Sequence, residues 1–536
     1  MKSRSEEQIH EEPQSIKDVS DIIGGYGPWQ RAIFLIIIFF GFPSAWHNLS
    51  ITFLAPDISH WCSPPDPLLN YSTDSWKDLA IPKDESFGGE SYSSCEMYKI
   101  YRNLSSLTVD RNQTVPCKTW QYDHSFYSST VIEKWNLVCG RSWLKSMSQS
   151  VYMAGYLTGC LLLGQLSDSF GRRPIMLLGL VILLISGIVC AFSPYFWLFT
   201  VTRFLTAVGR CGMFVTGFVL LLEVVGPEWR PVLGVAREIG WAAGFITLPG
   251  LAWLLRDWFY LQLTISLLVV LYFVTYWIIP ESPRWLLTHD RDEEAKAILT
   301  VASRKNGFHK PVEESVNKLK DFLTKDLATS KVNQKATLLD LFKTPNMRKK
   351  TMNVCFNWFV NSFVFYGLSL NTEDLGGNLF INFSIAGAVE FPAYLCTIVA
   401  IKRLGRRIPL MSAMVAGGIA CALTTLFPEY LWARVTLAMF GKFCITCSYA
   451  IIYVFSAELY PTVVRNVGVG CSSTCARIGA IIAPFMKEVG AFSHPSVPFG
   501  IFGGFSVAAG LLCLLLPETN EKTLPDTLQQ GEEFKK

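Results

Sequence analysis

Five ionisable side chains stand out within stretches that are otherwise apolar enough to lie in a membrane: Arg237, Glu238, Glu390, Lys442 and Arg477. Charge is expensive in hydrocarbon, so such residues face a protein interior or a water-filled path and mark where a polar ligand is handled. Glu390 sits in Ala386-Gly387-Ala388-Val389-Glu390-Phe391-Pro392, where Pro392 withholds a backbone donor and frees nearby groups. Its carboxylate offers a seat to a ligand amine; its other possible role is a structural pair with a neighbouring helix. Arg477 presents a planar fork suited to a carboxylate, or it neutralises Glu390 when no ligand is bound. Lys442, in Gly441-Lys442-Phe443, is a further candidate, set against a lysine that snorkels to the interface. Arg237 and Glu238 are adjacent, and neighbours on a helix point about 100° apart. They are therefore expected neither to share one cavity nor to bond each other squarely. Their alternative is a membrane-edge position on a helix that begins near Arg230.

Aromatic residues accompany these charges. Trp358, Phe359, Phe363, Phe365 and Tyr366 crowd one span, while Trp241, Phe245 and Tyr449 lie on others. Aromatic faces attract ammonium groups by roughly 0.5–2 kcal/mol each without demanding one ligand shape. Trp358 and Tyr366 share a helix face and, with Glu390, would make an amine box; the alternative for any one of them is packing or lipid contact. Asn353, Asn357 and Asn361 recur every four residues, a polar stripe that needs water, a ligand or another helix. The candidate binding set is Glu390, Arg477, Tyr366, Trp358, Glu238, Trp241, Asn361, Tyr449 and Lys442. An enzyme is not expected, because there is no nucleophile–base set, and no Cys/His spacing suits a metal. Nor is there the glycine-rich phosphate loop of an ATPase, so no cofactor is anticipated.

Positioning such groups requires a membrane scaffold. The 536 residues are 50% hydrophobic and only 17% charged, and the charge is confined to a few segments. A net charge of +4 on so long a chain says nothing of nucleic acid, and none is expected as a partner. Apolar stretches long enough to cross a bilayer fall at 28–55, 147–166, 174–193, 196–222, 231–256 and 258–280, and six more fall between 351 and 516. The fold expected is an all-α membrane protein with twelve transmembrane helices in two pseudo-symmetric six-helix bundles. Residues 1–27 form a polar N-terminal segment, and 28–280 form the first bundle with a long loop at 56–145. Residues 281–350 make a linker with short helices, 351–516 the second bundle, and 517–536 the tail.

One phrase returns at matching places in the two halves. Gly164-Gln165-Leu166-Ser167-Asp168-Ser169-Phe170-Gly171-Arg172-Arg173-Pro174 is echoed by Lys402-Arg403-Leu404-Gly405-Arg406-Arg407. Matched charged turns in duplicated units mean halves that move against each other, the architecture of a secondary transporter. The linker is rich in Lys and Arg, which places it, the turns and both termini in the cytosol. The 56–145 loop then lies outside. It carries three glycosylation sequons, at Asn70, Asn103 and Asn112, and four cysteines, Cys62, Cys95, Cys117 and Cys139. Four cysteines in an oxidising compartment imply up to two disulfides in a stapled cap, with three connectivities open.

Pro280-Glu281-Ser282-Pro283-Arg284-Trp285-Leu286, Ala457-Glu458-Leu459-Tyr460-Pro461-Thr462-Val463-Val464-Arg465-Asn466 and Leu516-Pro517-Glu518-Thr519 resemble phrases of the major facilitator superfamily. Glu133-Lys134-Trp135-Asn136-Leu137-Val138-Cys139 and Asn466-Val467-Gly468-Val469-Gly470 narrow the resemblance to its organic cation, carnitine and organic anion transporter family, from about Gly27 to Asp526. The resemblance implies a monomeric, polyspecific carrier in the plasma membrane, driven by potential or by an Na+ or H+ gradient, with one site reached alternately from each side. It implies small organic cations or zwitterions as substrates, with an organic anion carrier as the alternative. It also implies a gating cluster of Asp168, Arg172, Arg173, Glu223, Arg284, Arg406, Glu458 and Arg465. Cation carriers of the family have an acidic residue in the region of Arg477, whereas the carnitine and anion branches have arginine. The rival from another class is a non-transporting receptor or scaffold, which has no need of matched gates.

Overall fold

The computed structural model describes residues 16–65, 72–84, 91–102, 107–308, 312–332, 337–372, 375–427, 429–520, 522, 525 and 527–534. Twelve long helices form two six-helix halves. In the first half these are α1 Pro28–Leu49, α2 Trp143–Phe170, α3 Arg172–Ala191, α4 Phe196–Val224, α5 Arg230–Leu255 and α6 Trp258–Ile278. In the second they are α7 Pro345–Leu370, α8 Leu379–Leu404, α9 Arg407–Leu426, α10 Leu431–Leu459, α11 Arg465–Phe492 and α12 Val497–Cys513. Among the described residues nine of them are long and apolar enough to cross a membrane. The other three deviate for evident reasons. α12 is short, and α2 and α7 bury polar side chains, Ser146, Ser148 and Gln149 on one and Asn357, Asn361 and Ser362 on the other. Residues that face a partner helix rather than lipid escape the demand for apolarity.

Among the helix breaks, those in α5 and α8 fall beside acidic residues. α8 divides into Leu379–Ala388 and Glu390–Leu404, because Pro392 has no N–H for the carbonyl of Ala388. α5 divides into Arg230–Ala236 and Glu238–Leu255. At this break a Cβ on Gly240 would meet the Ile38 carbonyl oxygen at 1.9 Å, so only glycine lets α5 lie so close to α1. Each break starts a new helix segment at a glutamate, Glu238 or Glu390, where the helix dipole favours negative charge.

Three antiparallel strand pairs build the cap between α1 and α2: His60–Cys62 with Trp120–Tyr122, Lys83–Asp84 with Ser91–Tyr92, and Glu96–Arg102 with Leu107–Pro116. Cys62 is joined to Cys117 and Cys95 to Cys139, around a small core that includes Trp61, Trp76 and Ile81. Asn112 is exposed on a strand; Asn70 and Asn103 lie outside the described residues. The cap marks what is called here the loop face of the bundle. On the opposite, linker face, helices Pro283–Thr288, Asp292–Lys305 and Val312–Val332 pack with Val19, Ile22 and Ile23 on the first half. Glu532, from the tail, accepts the Asn346 and Met347 N–H groups and so caps the start of α7.

Candidate functional site

The two broken helices bring the acidic groups together. Glu390 is fully buried, and its carboxylate lies 3.0 Å from the ammonium of Lys442 on α10. Tyr394 donates to the same carboxylate at 3.2 Å, and Lys442 donates to Ser369 at 2.6 Å. The Lys442 ammonium also sits 3.2 Å from the centre of the Phe365 ring and 5.3 Å from that of Phe245. Glu390 is therefore neutralised by Lys442, not by Arg477 as the sequence allowed. The two meet because α8 and α10 pack directly. Lys442 is 1% exposed and does not snorkel.

Arg237 and Glu238 correct a second expectation. They form an ion pair with each other, although neighbours on a continuous helix could not. The α5 break falls at Arg237, which frees its side chain to turn back. Its guanidinium is gripped by the rings of Phe214 and Phe218, each at 4.1 Å. Glu238 lies near Glu390 and Tyr394, so α5, α8 and α10 bring two carboxylates and two cations into one region.

Arg477 belongs to a different group. It stacks over Tyr156 of α2 at 4.0 Å and donates to its hydroxyl at 3.3 Å, reaching across from the second half to the first. Arg210 of α4 lies over the same ring at 4.4 Å and over Trp241 at 5.2 Å. Arg203, further along α4, donates to Gln149 at 2.6 Å and Ser50 at 3.2 Å. Arg203 and Arg210 escaped the sequence reading; the only signal was a charge inside a 29-residue apolar helix.

Aromatic residues line the region between these groups. Trp358 donates to Ser456 at 2.7 Å and packs edge-on to Tyr453 at 4.3 Å, with Tyr449 at 6.2 Å. Tyr453 is 42% exposed and has Arg477, Tyr156 and Glu238 as neighbours. The Tyr366 hydroxyl accepts from Asn48 of α1 at 3.4 Å. The asparagine stripe is satisfied by other helices: Asn361 accepts from Ser448 and donates to the Met414 sulfur at 3.5 Å, and Asn357 accepts from Cys513 at 3.0 Å.

The repeated turns have one geometry. Arg172 pairs with Glu223 and Asp168, each at 2.8 Å, and donates to the Ser167 carbonyl at 2.7 Å. Arg406 pairs with Glu458 at 3.0 Å and donates to the Ile401 carbonyl at 3.4 Å. Glu281 accepts the Arg172 and Arg173 N–H groups, and Glu518 accepts those of Arg406 and Arg407. Burial opposes ionisation of Glu518, but these N–H donors win and hold its carboxyl below the usual range. Gly171 and Gly405 have φ of +104° and +82°, and a Cβ on either would run into the facing carboxylate, at 2.4 Å and 3.0 Å. Glu281 and Glu518 lie in the sequence motifs, but nothing in those motifs marks them as the caps of α3 and α9.

Two expected gate members lie elsewhere. Arg284 is exposed and sits beside Asp18, Leu319 and Leu323, because the helix capped by Ser282 turns it outward while Glu281 turns in. Arg465 bonds locally to the Tyr460 carbonyl at 3.4 Å and Thr462 at 3.2 Å. Arg173 stacks on Tyr276 at 4.7 Å and donates to that residue's carbonyl.

Toward the loop face the halves are tied together. Ser146 donates to Glu488 at 3.0 Å and Ser150 to the Ile481 carbonyl at 2.6 Å. Lys487 pairs with Asp57, which also pairs with Lys145 at 3.2 Å. Phe53 packs on Phe383 at 4.9 Å, and Phe126 of the cap packs on Phe380 at 5.3 Å. On the linker face, by contrast, each charge cluster closes within its own half.

Two halves closed at one face, helices broken beside buried charges and duplicated charged turns define a secondary transporter of the major facilitator type. The family model described as sugar (and other) transporter matches residues 98–528. An organic cation transporter protein of Drosophila melanogaster is 39% identical over 530 residues, covering 97% of this chain and 95% of that one. Organic cation/carnitine transporter 2 of Rattus norvegicus is 34% identical, covering 96% and 93%. A solved structure of the E. coli xylose transporter, in a partially occluded inward open conformation, matches with a TM-score of 0.64 at 16% identity, covering 92% of this chain and 100% of that one. It shares the fold alone. The chain belongs to the organic cation and carnitine transporter family of the major facilitator superfamily.

Proposed function

We propose that this protein carries small organic cations and zwitterions across the plasma membrane by alternating access, as a monomer and coupled to the potential or to an Na+ or H+ gradient. The cap lies outside the cell, and the linker and both termini lie in the cytosol. With that orientation the loop-face ties close the outer gate, and the linker face, where each charge cluster closes within its own half, is the side that opens. The observation that supports the substrate class best is Lys442 held between the Glu390 carboxylate and the Phe365 ring. A carboxylate and an aromatic face already hold one ammonium there, and a substrate ammonium asks for the same partners. Relatives named as carriers of organic cations and carnitine point the same way. The organic anion reading is kept as second, because Arg203, Arg210 and Arg477 have no ion-paired carboxylate among the described residues. Competition for uptake among tetraethylammonium, carnitine and para-aminohippurate in expressing cells tests the choice. Saturable uptake of the first two is expected; uptake of the third alone would reverse it.

A further inference from the structure

We infer that Thr344, at the start of α7, is a phosphorylation site, and that a phosphate there takes the place of the Glu532 carboxylate and frees the C-terminal tail. This rests on the carrier reading above only in that the linker face lies in the cytosol, where kinases and nucleoside triphosphate are found.

The first N–H groups of a helix have no partner within it, and a threonine just before the helix ordinarily accepts from the second or third of them. Thr344 stands at that position, with Pro345 after it, yet its side chain makes no cap bond. Its hydroxyl is buried beside the Glu532 carboxylate instead. That carboxylate has taken over the task, one oxygen accepting from the Asn346 N–H and the other from the Met347 N–H, each at 2.9 Å. So α7 has one cap in its own sequence, idle, and another brought by the tail, engaged.

The tail helix, Leu528–Glu533, sits in a built seat. Lys350 donates to the Gly531 and Phe534 carbonyls at 2.7 Å and 2.6 Å, so each helix caps the other. A Cβ on Gly531 would meet Pro461 at 2.4 Å and the Met347 sulfur at 3.1 Å, so the two surfaces are in close contact. Just before the tail helix, the Pro525 carbonyl accepts from the Thr462 N–H at 3.0 Å. The tail thereby clasps the start of α7 to the turn between α10 and α11, on the face that opens.

A phosphate on Thr344 competes for the same donors. The threonine oxygen takes the terminal phosphoryl group of a nucleoside triphosphate, its proton passes to the kinase and the diphosphate leaves. The product carries about two negative charges and three acceptor oxygens, against the single charge of Glu532, at the helix end that favours negative charge. Two anions cannot share the two N–H groups. Lys343, Arg348 and Lys349 are exposed on either side and favour the more highly charged one. Glu532 is then repelled, while α7 stays capped. Docking and phosphorylation exclude each other, so each weakens the other by the same factor.

The test incubates the purified full chain, in detergent, with ATP and a kinase selective for serine or threonine before proline, and reads phosphate at Thr344 by mass spectrometry. Tail release is read in Met347→Cys, a position 1% exposed beneath Gly531, as maleimide labelling of that residue. Glu532→Gln should take up phosphate roughly tenfold faster than the native chain, because the clasp is weaker. Phosphorylation should raise labelling at residue 347 by a similar factor. Thr344→Ala should leave labelling low, since the hydroxyl caps nothing while the tail is docked. Should Met347→Cys not fold, the rate at which trypsin removes the tail at Lys522 reads the same release without a substitution. No phosphate at Thr344 in either the native or the Glu532→Gln chain, or a phosphorylated chain whose tail stays as protected as before, overturns the inference. Neither readout depends on uptake, so a failure to carry amines would leave the site standing.

Discussion

Lys442 and Glu390 meet 3.0 Å apart on two helices of the same half, inside the protein and away from water. The carrier thus holds an internal ammonium where a substrate ammonium is proposed to bind, and the substrate must displace it or share its carboxylate. On that proposal the acidic cluster has two tasks, stability when empty and recognition when loaded.

Removing one member of this pair strands the other. Glu390→Gln should cost about 3–5 kcal/mol in stability, since an unpaired buried charge is the expensive case. The double variant Glu390→Gln with Lys442→Gln should regain much of that loss yet still fail to take up amines. Unfolding midpoints in detergent, read beside uptake, separate the two effects. A single variant as stable as the native chain would mean that the pair is not buried as described.

The linker-face clusters predict a gating phenotype. The Asp168 side chain is 74% exposed, so its bond to Arg172 is worth at most about 1 kcal/mol in stability. Asp168→Ala should therefore reach the cell surface normally while transport falls. Gly171→Ala, which drives a Cβ into the Glu281 carboxylate, should damage folding as well. Unchanged turnover in Asp168→Ala would reduce the turn to a folding device.

The cap should be stapled and glycosylated. Its bridges close segments of 55 and 44 residues, for which chain entropy predicts about 4 kcal/mol each. Cys62→Ser should lower surface expression sharply. A glycosidase should shift the mature protein on a gel, and Asn112→Gln should remove part of that shift. No shift at all would reverse the proposed orientation.

The Asp57 latch sets a pH expectation. Partial desolvation works to raise the Asp57 carboxyl, whose side chain is half exposed, but the flanking Lys145 and Lys487 ammonium groups outweigh it and hold the group well below its usual range. A depressed carboxyl contributes above its unfolded value, near 4, and is lost only as pH falls through the lowered one. Between about pH 5.5 and 7.5 the latch should stay intact, so any pH dependence of transport there has another source. Asp57→Asn should expose a cysteine placed by Ser146→Cys to an impermeant maleimide, equally at both pH values. A pH-dependent labelling gain in the native latch would contradict this.

Much of the site was legible because charge in an apolar span is conspicuous. Glu390, Lys442 and Arg477 stand out by that rule alone, and the repeated turn stands out by its position. Partnership was not legible. Nothing in the order of residues says that α8 packs on α10 closely enough to join Glu390 to Lys442. Arg237 and Glu238 were read as if on a continuous helix, and the break that lets them pair comes from close packing against α1 at Gly240. Arg203 and Arg210 obey the same rule on α4, but nothing in the order of residues says which neighbours they face. The cap strands are short and irregular, too weak a pattern to announce hairpins, and the choice among three disulfide connectivities needed the fold itself.

The central claim is that an amine is carried and that Glu390 is its required partner. Uptake of radiolabelled tetraethylammonium and carnitine, measured in the native carrier, in Glu390→Gln and in Arg477→Ala with surface expression matched, tests it most directly. Saturable uptake of both in the native protein is expected, with loss of both in Glu390→Gln and a larger loss of carnitine than of tetraethylammonium in Arg477→Ala. Amine uptake that survives Glu390→Gln, together with carnitine uptake that survives Arg477→Ala, would contradict the assignment and put the organic anion carrier in its place.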